Sequence, residues 1–284
     1  MSLDTSTLDL DAYFARIGYT GSRAPTLETL RALHFAHATS IPFENIEVLA
    51  GKVPSLDLAA IQQKHVREKR GGYCFELNML FASVLKALGF RVTDLIGRVR
   101  WKASSDAATA RSHRIARVEL PEGVFLADIA FGGLTMTGPL RLETDIEQQT
   151  PHEVYRLLPH GEAGRDFELQ AKLGADWASI YSFSLERQAP VDYDVSNWWT
   201  ATHPASIFVQ HLIVARPAAD RRHALLNTGL TIRHKDGRVE TKTLGSVDEI
   251  AEALHAYFGI ALSDEQKAAS LTPHFARWQA MAGA

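Results

Sequence analysis

One cysteine, Cys74, stands in 284 residues. An intramolecular disulfide and an all-cysteine metal site are thereby excluded, and a reducing compartment fits. The twelve histidines show no HExxH or comparable ligand spacing, so no metal is expected. Concentrated positive charge is missing as well. Lys plus Arg total 30 against 33 acidic residues, a net charge of -3, and no stretch gathers enough basic side chains to hold a phosphate backbone. Nucleic acid is therefore not an expected partner. No apolar run approaches membrane-spanning length, and the acidic opening MSLDTSTLDLDAYF lacks the basic and apolar regions of a signal peptide. A soluble, cytoplasmic protein with no membrane partner is the expectation.

What is present is ordinary globular material. Hydrophobic residues make up 46% and charged residues 22%, far from the signature of disorder. The length favours two or three subdomains, and the lack of repeats or flexible linkers favours their packing as one unit. The first part reads as helices around Leu8 to Ile17, Thr26 to Thr39 and Asp57 to Lys69, the last capped by Asp57. A fourth helix runs from Cys74 to Leu88, with Leu77, Leu80, Phe81, Val84, Leu85 and Leu88 on one face and Gly89 following it. From Arg91 the pattern turns to short β-like runs, RVTDLIGRVRW, HRIARVEL, GVFLADIAF, DFELQAKL and ASIYSFSLE, which suggest an antiparallel barrel or sheet. Residues 197–203 look irregular or briefly helical, and Phe208 to Ala215 has strand character. In the tail, LTIRHKDGRVETKTL reads as a hairpin with a type I′ turn at Asp236-Gly237. A capping box at Ser246 to Glu249 then opens a helix that ends before Gly259. Boundaries fall near residues 90 and 205.

Cys74 sits in the first turn of its helix, directly after Arg70-Gly71-Gly72-Tyr73. A free thiol, with a reference pKa of about 8.5, is a weak nucleophile at neutral pH. Unpaired N–H groups and the dipole at a helix N-terminus favour negative charge on sulfur. Gly71 and Gly72 allow a sharp entry into the helix and close approach of a substrate, and N–H groups here are candidates for an oxyanion hole. The competing reading is a small buried core residue, and spacing alone does not separate the two.

A cysteine nucleophile needs a histidine to take its proton and a carboxylate to orient the imidazole. His113 opens one strand and Asp128 lies within the next. A four-residue loop, Glu119 to Glu122, would set them directly opposite, with Cβ atoms about 5 Å apart. A two-residue Glu122-Gly123 turn would instead set Asp128 against Arg117 and out of contact. Asp128 is the only charge in Phe125-Leu126-Ala127-Asp128-Ile129-Ala130-Phe131, a costly position without a partner. The other histidines, His203 and His211 among them, read as ordinary surface or core residues.

Several segments together resemble the arylamine N-acetyltransferases in order and content. They are Ile41-Pro42-Phe43-Glu44-Asn45, Arg70-Gly71-Gly72-Tyr73-Cys74-Phe75-Glu76-Leu77-Asn78, the His113 strand, Asp128-Ile129-Ala130-Phe131-Gly132-Gly133, and Asn197-Trp198-Trp199-Thr200-Ala201-Thr202-His203-Pro204. RGGYCFELN is highly specific, whereas IPFEN and Phe-Gly-Gly are weak alone. The resemblance implies an α+β fold: an N-terminal helical bundle (1–90), a central antiparallel β-barrel (91–205) and a C-terminal α/β lid (206–284), with a triad like that of cysteine proteases and transglutaminases. It implies Cys74 as the acetylated nucleophile, His113 as base and Asp128 as its orienter. Phe43 and Phe208 would wall the acceptor pocket, and Gly132 and Gly133 would lie beside the CoA pyrophosphate. Acetyl-CoA would be the co-substrate, with no permanently bound cofactor, and small aromatic amines or hydrazines the acceptors, as in xenobiotic metabolism. Two departures are the Ala130 that stands where the family more often has Gly, and the charged Arg114-Ile115-Ala116-Arg117 after the histidine. Related amide synthases and other thiol acyl enzymes use the same triad, and a binding module that has lost catalysis would keep the pocket.

Overall fold

The computed structural model describes residues 8–104, 107–161 and 165–282. The first seven residues of the acidic opening lie outside them.

Helices α1 (Leu10–Ile17) and α2 (Leu27–Ser40) start where side-chain oxygens of Asp9 and Thr26 accept orphan N–H groups, from Ala12 and Thr29. One turn, α3 (Ile46–Leu49), follows the Ile41–Asn45 segment. Asp57 caps α4 (Leu58–Gln62) as expected, accepting from Ala60 N–H at 3.0 Å. The helix expected to continue to Lys69 instead widens into a π-turn over Gln63–Arg67, and Lys69 stops it in the left-handed region at φ 56°. Helix α5 (Cys74–Ala87) is the centre of the molecule. The sequence suggested one apolar face, yet every residue from Cys74 to Leu85 is buried, because other helices pack on one side of α5 and sheet on the other.

The middle of the chain forms eight antiparallel strands: β1 (Arg91–Val99), β2 (Arg111–Leu120), β3 (Gly123–Ala127), β4 (Leu140–Arg141), β5 (Glu147–Gln149), β6 (Val154–His160), β7 (Asp166–Leu173) and β8 (Asp176–Phe183). Their order, β4-β3-β2-β1-β8-β7-β6-β5, leaves two very short edge strands. Gln148 joins these edges by accepting from Arg141 N–H (2.7 Å) and donating to Arg141 O (2.9 Å), so the sheet nearly closes into a barrel. Leu95, Ile115, Leu126, Leu157, Leu169 and Ile180 fill its interior. Strand β6 carries no alternating pattern and was not legible in the sequence. Arg114, whose charge looked out of place, is buried in an ion pair with Asp94 (2.6 Å), its guanidinium 4.3 Å from the centre of the Tyr193 ring.

Beyond the barrel come α6 (Pro190–Thr202), the single turn α7 (Ile207–Gln210), and a second sheet of β9 (Ile213–Pro217), β10 (Arg221–Leu226), β11 (Gly229–His234) and β12 (Val239–Thr243). Helices α8 (Val247–Phe258), α9 (Asp264–Ser270) and α10 (Thr272–Ala282) complete the described chain. Four expectations are corrected here. Residues 197–203 are the end of the regular helix α6 and its C-cap, a helix begun by Pro190 at its first position. Phe208 to Ala215 is not one strand, since Ser206 caps a helical turn before β9 begins. The β11–β12 turn is not type I′, because Gly237 (φ 92°) but not Asp236 has positive φ. Lys235-Asp236-Gly237 form a three-residue loop with glycine in its last position. Ser246 does cap α8, but Glu249 reaches back to Gly245 N–H and not to Ser246. Gly259 ends α8 at φ 70°, as expected. Among the described residues no helix is long and apolar enough to cross a membrane.

Candidate active site

Cys74 opens α5 at its first helical position and is 2% exposed. The loop before it is held by the Ile41–Asn45 segment. Glu44 N–H donates to Gly72 O (2.9 Å) and Gly72 N–H to Pro42 O (3.3 Å). A Cβ on Gly71 would stand 2.3 Å from Pro42 O, so only glycine lets the loop lie this close to the Ile41–Asn45 segment, and one on Gly72 would stand 2.5 Å from His65 Cε1 on the π-turn. The expectation that N–H groups of this loop line an oxyanion hole fails for two of them. Gly72 N–H is spent on Pro42, and Tyr73 N–H donates to Glu76 Oε2 (3.2 Å).

Beneath the loop lies a buried network of charges. Lys64 bridges Glu76 (2.7 Å) and Glu47 (2.6 Å), and Arg70 pairs with Glu44 (2.8 Å). Burial would raise the Glu76 carboxyl, but Lys64 and His65 outweigh it and hold the group at about 2.

On the other side of Cys74, His113 Nε2 lies 2.7 Å from Asp128 Oδ2, with side-chain exposures of 3% and 0%. The Cys74 sulfur donates to the carbonyl of Ser112 (3.5 Å), the residue before His113, and is near enough to the imidazole to add to the rise of its pKa. Since Nε2 is taken by Asp128, Nδ1 is the ring nitrogen left to exchange a proton with the sulfur. Burial would lower the His113 pKa, yet the Asp128 charge and hydrogen bond, with a smaller contribution from Cys74, raise it from 6.5 to about 10. Asp128 is held below the usual carboxylate range against its own desolvation by the same pairing, with hydrogen bonds from Asn78 and Ala130.

Neither hairpin geometry considered from the sequence is the real one. The β2–β3 loop is Pro121-Glu122, with Leu120 opposite Gly123 and Ala116 opposite Ala127. One residue further this register would set Asp128 opposite Ile115, two residues from His113 and on the same face, as a diagonal neighbour. The chain leaves the ladder at that point, since β3 ends at Ala127, and the carboxylate swings onto the imidazole.

Asn78 is the functional residue that the sequence reading missed. Its Nδ2 donates to Asp128 Oδ1 (2.9 Å) and Arg114 O (2.6 Å), and its Oδ1 accepts from Ile129 N–H (3.0 Å). Four residues after Cys74, it shares that residue's helical face, a spacing that would have revealed it. His34 accepts the Asp128 N–H at 3.3 Å, and the rings of Phe131 and Tyr181 pack on His113 at 5.1 and 4.9 Å.

Phe43 and Phe208 come together, ring centroids 6.0 Å apart, and Phe208 also meets Tyr73 at 5.8 Å. Asn45 fixes this arrangement by donating to Phe208 O and His211 O (2.7 Å each) and accepting from Ile213 N–H (2.8 Å). Asn197 accepts from the Tyr73 hydroxyl and donates to Pro54 O (2.9 Å), which ties α6 to the residue before the nucleophile. Gly132 has φ 77° and lies against the Phe43 ring, and a Cβ on Gly133 would meet open space. A cleft of about 350 Å³ opens at the barrel seam beside Arg141, and one of about 320 Å³ beside Lys64. Neither is lined by Cys74, His113 or Asp128, so chemistry and not volume marks the site.

An N-acetyltransferase family model matches residues 26–267. The chain is 41% identical over 262 residues to the arylamine N-acetyltransferase of Mycolicibacterium smegmatis, covering 90% of this chain and 94% of the relative. It is 40% identical over 256 residues to that of Escherichia coli K12, with 90% of each covered. The chain belongs to the arylamine N-acetyltransferases. The structure of the Mycobacterium marinum arylamine N-acetyltransferase in complex with CoA superposes with a TM-score of 0.87 at 39% identity, over 93% of this chain and 99% of that one. The α+β architecture is therefore that of an arylamine N-acetyltransferase. In this member of the family the conspicuous motifs have separate roles, since IPFEN and Arg70 to Tyr73 place the sulfur while Asp128 and Asn78 orient the imidazole.

Proposed function

We propose that this chain transfers the acetyl group of acetyl-CoA to arylamines and arylhydrazines by a ping-pong cycle through acetylated Cys74. The observation that carries the proposal is the buried His113–Asp128 pair (2.7 Å) set beside Cys74 at the start of α5, with the sulfur bonded to the carbonyl of Ser112, the residue before His113. A relative solved with CoA supports the donor. At neutral pH His113 carries the proton that a nucleophilic sulfur must give up, and Asp128 stabilises the cation. The sulfur attacks the thioester carbonyl, and the tetrahedral adduct collapses with loss of CoA as thiolate, which takes the proton from His113. A neutral arylamine then attacks the acetyl-cysteine, His113 accepts the amine proton, and Cys74 leaves as the amide forms. Exchange of one thioester for another is nearly isoenergetic, so amide formation draws the cycle forward. Phe43 and Phe208 wall the acceptor, Gly132 and Gly133 flank the CoA pyrophosphate, and the C-terminal segment excludes water that would hydrolyse the intermediate.

The test is CoA release from acetyl-CoA with and without hydralazine or isoniazid, in the intact protein and in Cys74→Ala. Amine-dependent release that the variant lacks, with an acetyl mass added to Cys74 in the absence of amine, is the expected result. Rapid alkylation of Cys74 without amine-dependent release would overturn the proposed donor or acceptor while leaving the triad.

A further inference from the structure

Arg222 is a cation whose burial the reaction scheme does not explain. It projects from β10 of the C-terminal sheet, and its side chain is 6% exposed. Its Nε donates to Glu153 Oε1 (2.6 Å), and Nη2 donates both to Glu153 Oε2 and to the carbonyl of Thr135 (2.9 Å). Tyr155, two residues from Glu153, donates its hydroxyl to the neighbouring carbonyl of Leu134 (3.0 Å). Two consecutive carbonyls are thus gripped by groups that meet at one carboxylate. These carbonyls end the turn that begins at Gly132, whose own carbonyl accepts from Thr135 N–H (3.1 Å). The other end of the turn carries Phe131, edge-on to His113, and Gly132, against the Phe43 ring. A glycine-rich turn has little stiffness of its own, so its shape must come from what holds it.

We infer that Arg222 is a positioning residue for acyl transfer: from the C-terminal sheet it fixes the Gly132–Thr135 turn in the shape that receives the acyl donor. This inference rests on the proposed use of acetyl-CoA. A charged donor imposes direction on a backbone carbonyl more strongly than a neutral one, and a planar guanidinium serves Glu153 and Thr135 together in a way that an ammonium point charge does not. The residue touches neither sulfur nor acceptor, so its loss should weaken donor use and spare the thiol.

The experiment compares wild type, Arg222→Met, Arg222→Lys and Tyr155→Phe for KM and kcat with acetyl-CoA, and for the rate of iodoacetamide alkylation of Cys74. The last variant removes only a hydroxyl and guards against a misfolded Arg222→Met. KM for acetyl-CoA should rise about 10- to 100-fold in Arg222→Met, the loss expected of a charged hydrogen bond. Arg222→Lys should lie between this and wild type, Tyr155→Phe should shift a few-fold in the same direction, and alkylation should change by less than about twofold. An unchanged KM in folded Arg222→Met and in Tyr155→Phe overturns the inference alone, as does alkylation that falls in step with KM, the mark of general loosening. A wild-type protein that releases no CoA from acetyl-CoA overturns this inference and the functional proposal together.

Discussion

Cys74 lies between two buried sets of charges that look alike in composition and differ in what they have left to give. On the loop side, Glu44 accepts from Arg70 and Ile46 N–H, and Glu76 accepts from Lys64 and Tyr73 N–H, so both oxygens of each carboxylate are committed. On the barrel side Asp128 is equally committed, to His113, Asn78 and Ala130, but His113 spends only Nε2 on it and has Nδ1 left for the chemistry. The difference teaches that burial and altered pKa do not by themselves mark chemistry, because Glu76 is lowered against its own desolvation just as Asp128 is. The imidazole keeps a nitrogen to give, whereas each oxygen of the two loop-side carboxylates already accepts.

The largest effect that sharpens this contrast is in Asp128→Asn. The side chain keeps its shape, His113 loses the charge that holds its proton, and turnover should fall by a factor on the order of 10³, read as single-turnover CoA release. Lys64→Met probes the other set. It leaves two carboxylates without their shared cation, and removal of one partner from a buried pair costs about 3–5 kcal/mol. The midpoint of urea unfolding should drop accordingly, while turnover per folded molecule stays within about threefold of wild type. If Lys64→Met abolished turnover in folded protein, the two sets would not be separable.

How much of this was legible in the sequence depended on whether the signal was local. A lone cysteine after two glycines and before an amphipathic run marks Cys74, and a single carboxylate in an apolar strand marks Asp128. How Asp128 reaches His113 was not legible, because loops of similar length shift the register by a residue or two and change which side chains face each other. Asn78 lies inside the most specific motif and its spacing from Cys74 puts it on the same helical face, but the carboxylate it serves is fifty residues away and leaves no local sign. Helix α6 offered Pro190 as a start signal, but its tryptophans and threonines obscured the helical period. The charges around Lys64 gave no local sign at all, since their partners are scattered from Glu44 to Glu76.

The smallest predicted effect is in the pH dependence of stability, where the two sets should fail at opposite ends. With His113 raised to about 10, its contribution is complete below about pH 6.5, the ordinary value for an unfolded histidine, and is lost as pH climbs through 10. Glu76, lowered from 4.5 to about 2, contributes fully above pH 4.5, and that contribution is lost as pH falls through 2. The lowered carboxyl of Asp128 adds to the same acid loss. Melting temperatures across pH should show Asp128→Asn flattening the alkaline limb and Glu76→Gln the acid limb, each by roughly a few degrees. An alkaline limb unchanged in Asp128→Asn would mean that the imidazole is not held as a cation by that carboxylate.

Asn45 has a consequence for the order in which the protein comes into being. Its bond to Ile213 spans 168 residues of chain, and with its grip on Phe208 and His211 it completes the aromatic wall beside the nucleophile. During synthesis the triad residues, the last of them Asp128, leave the ribosome long before that wall exists. The triad residues are therefore made before the strand that completes the wall, and since Phe43 exchanges hydrogen bonds with Ala215 the segment that holds the Cys74 loop is itself completed only when that distant strand docks.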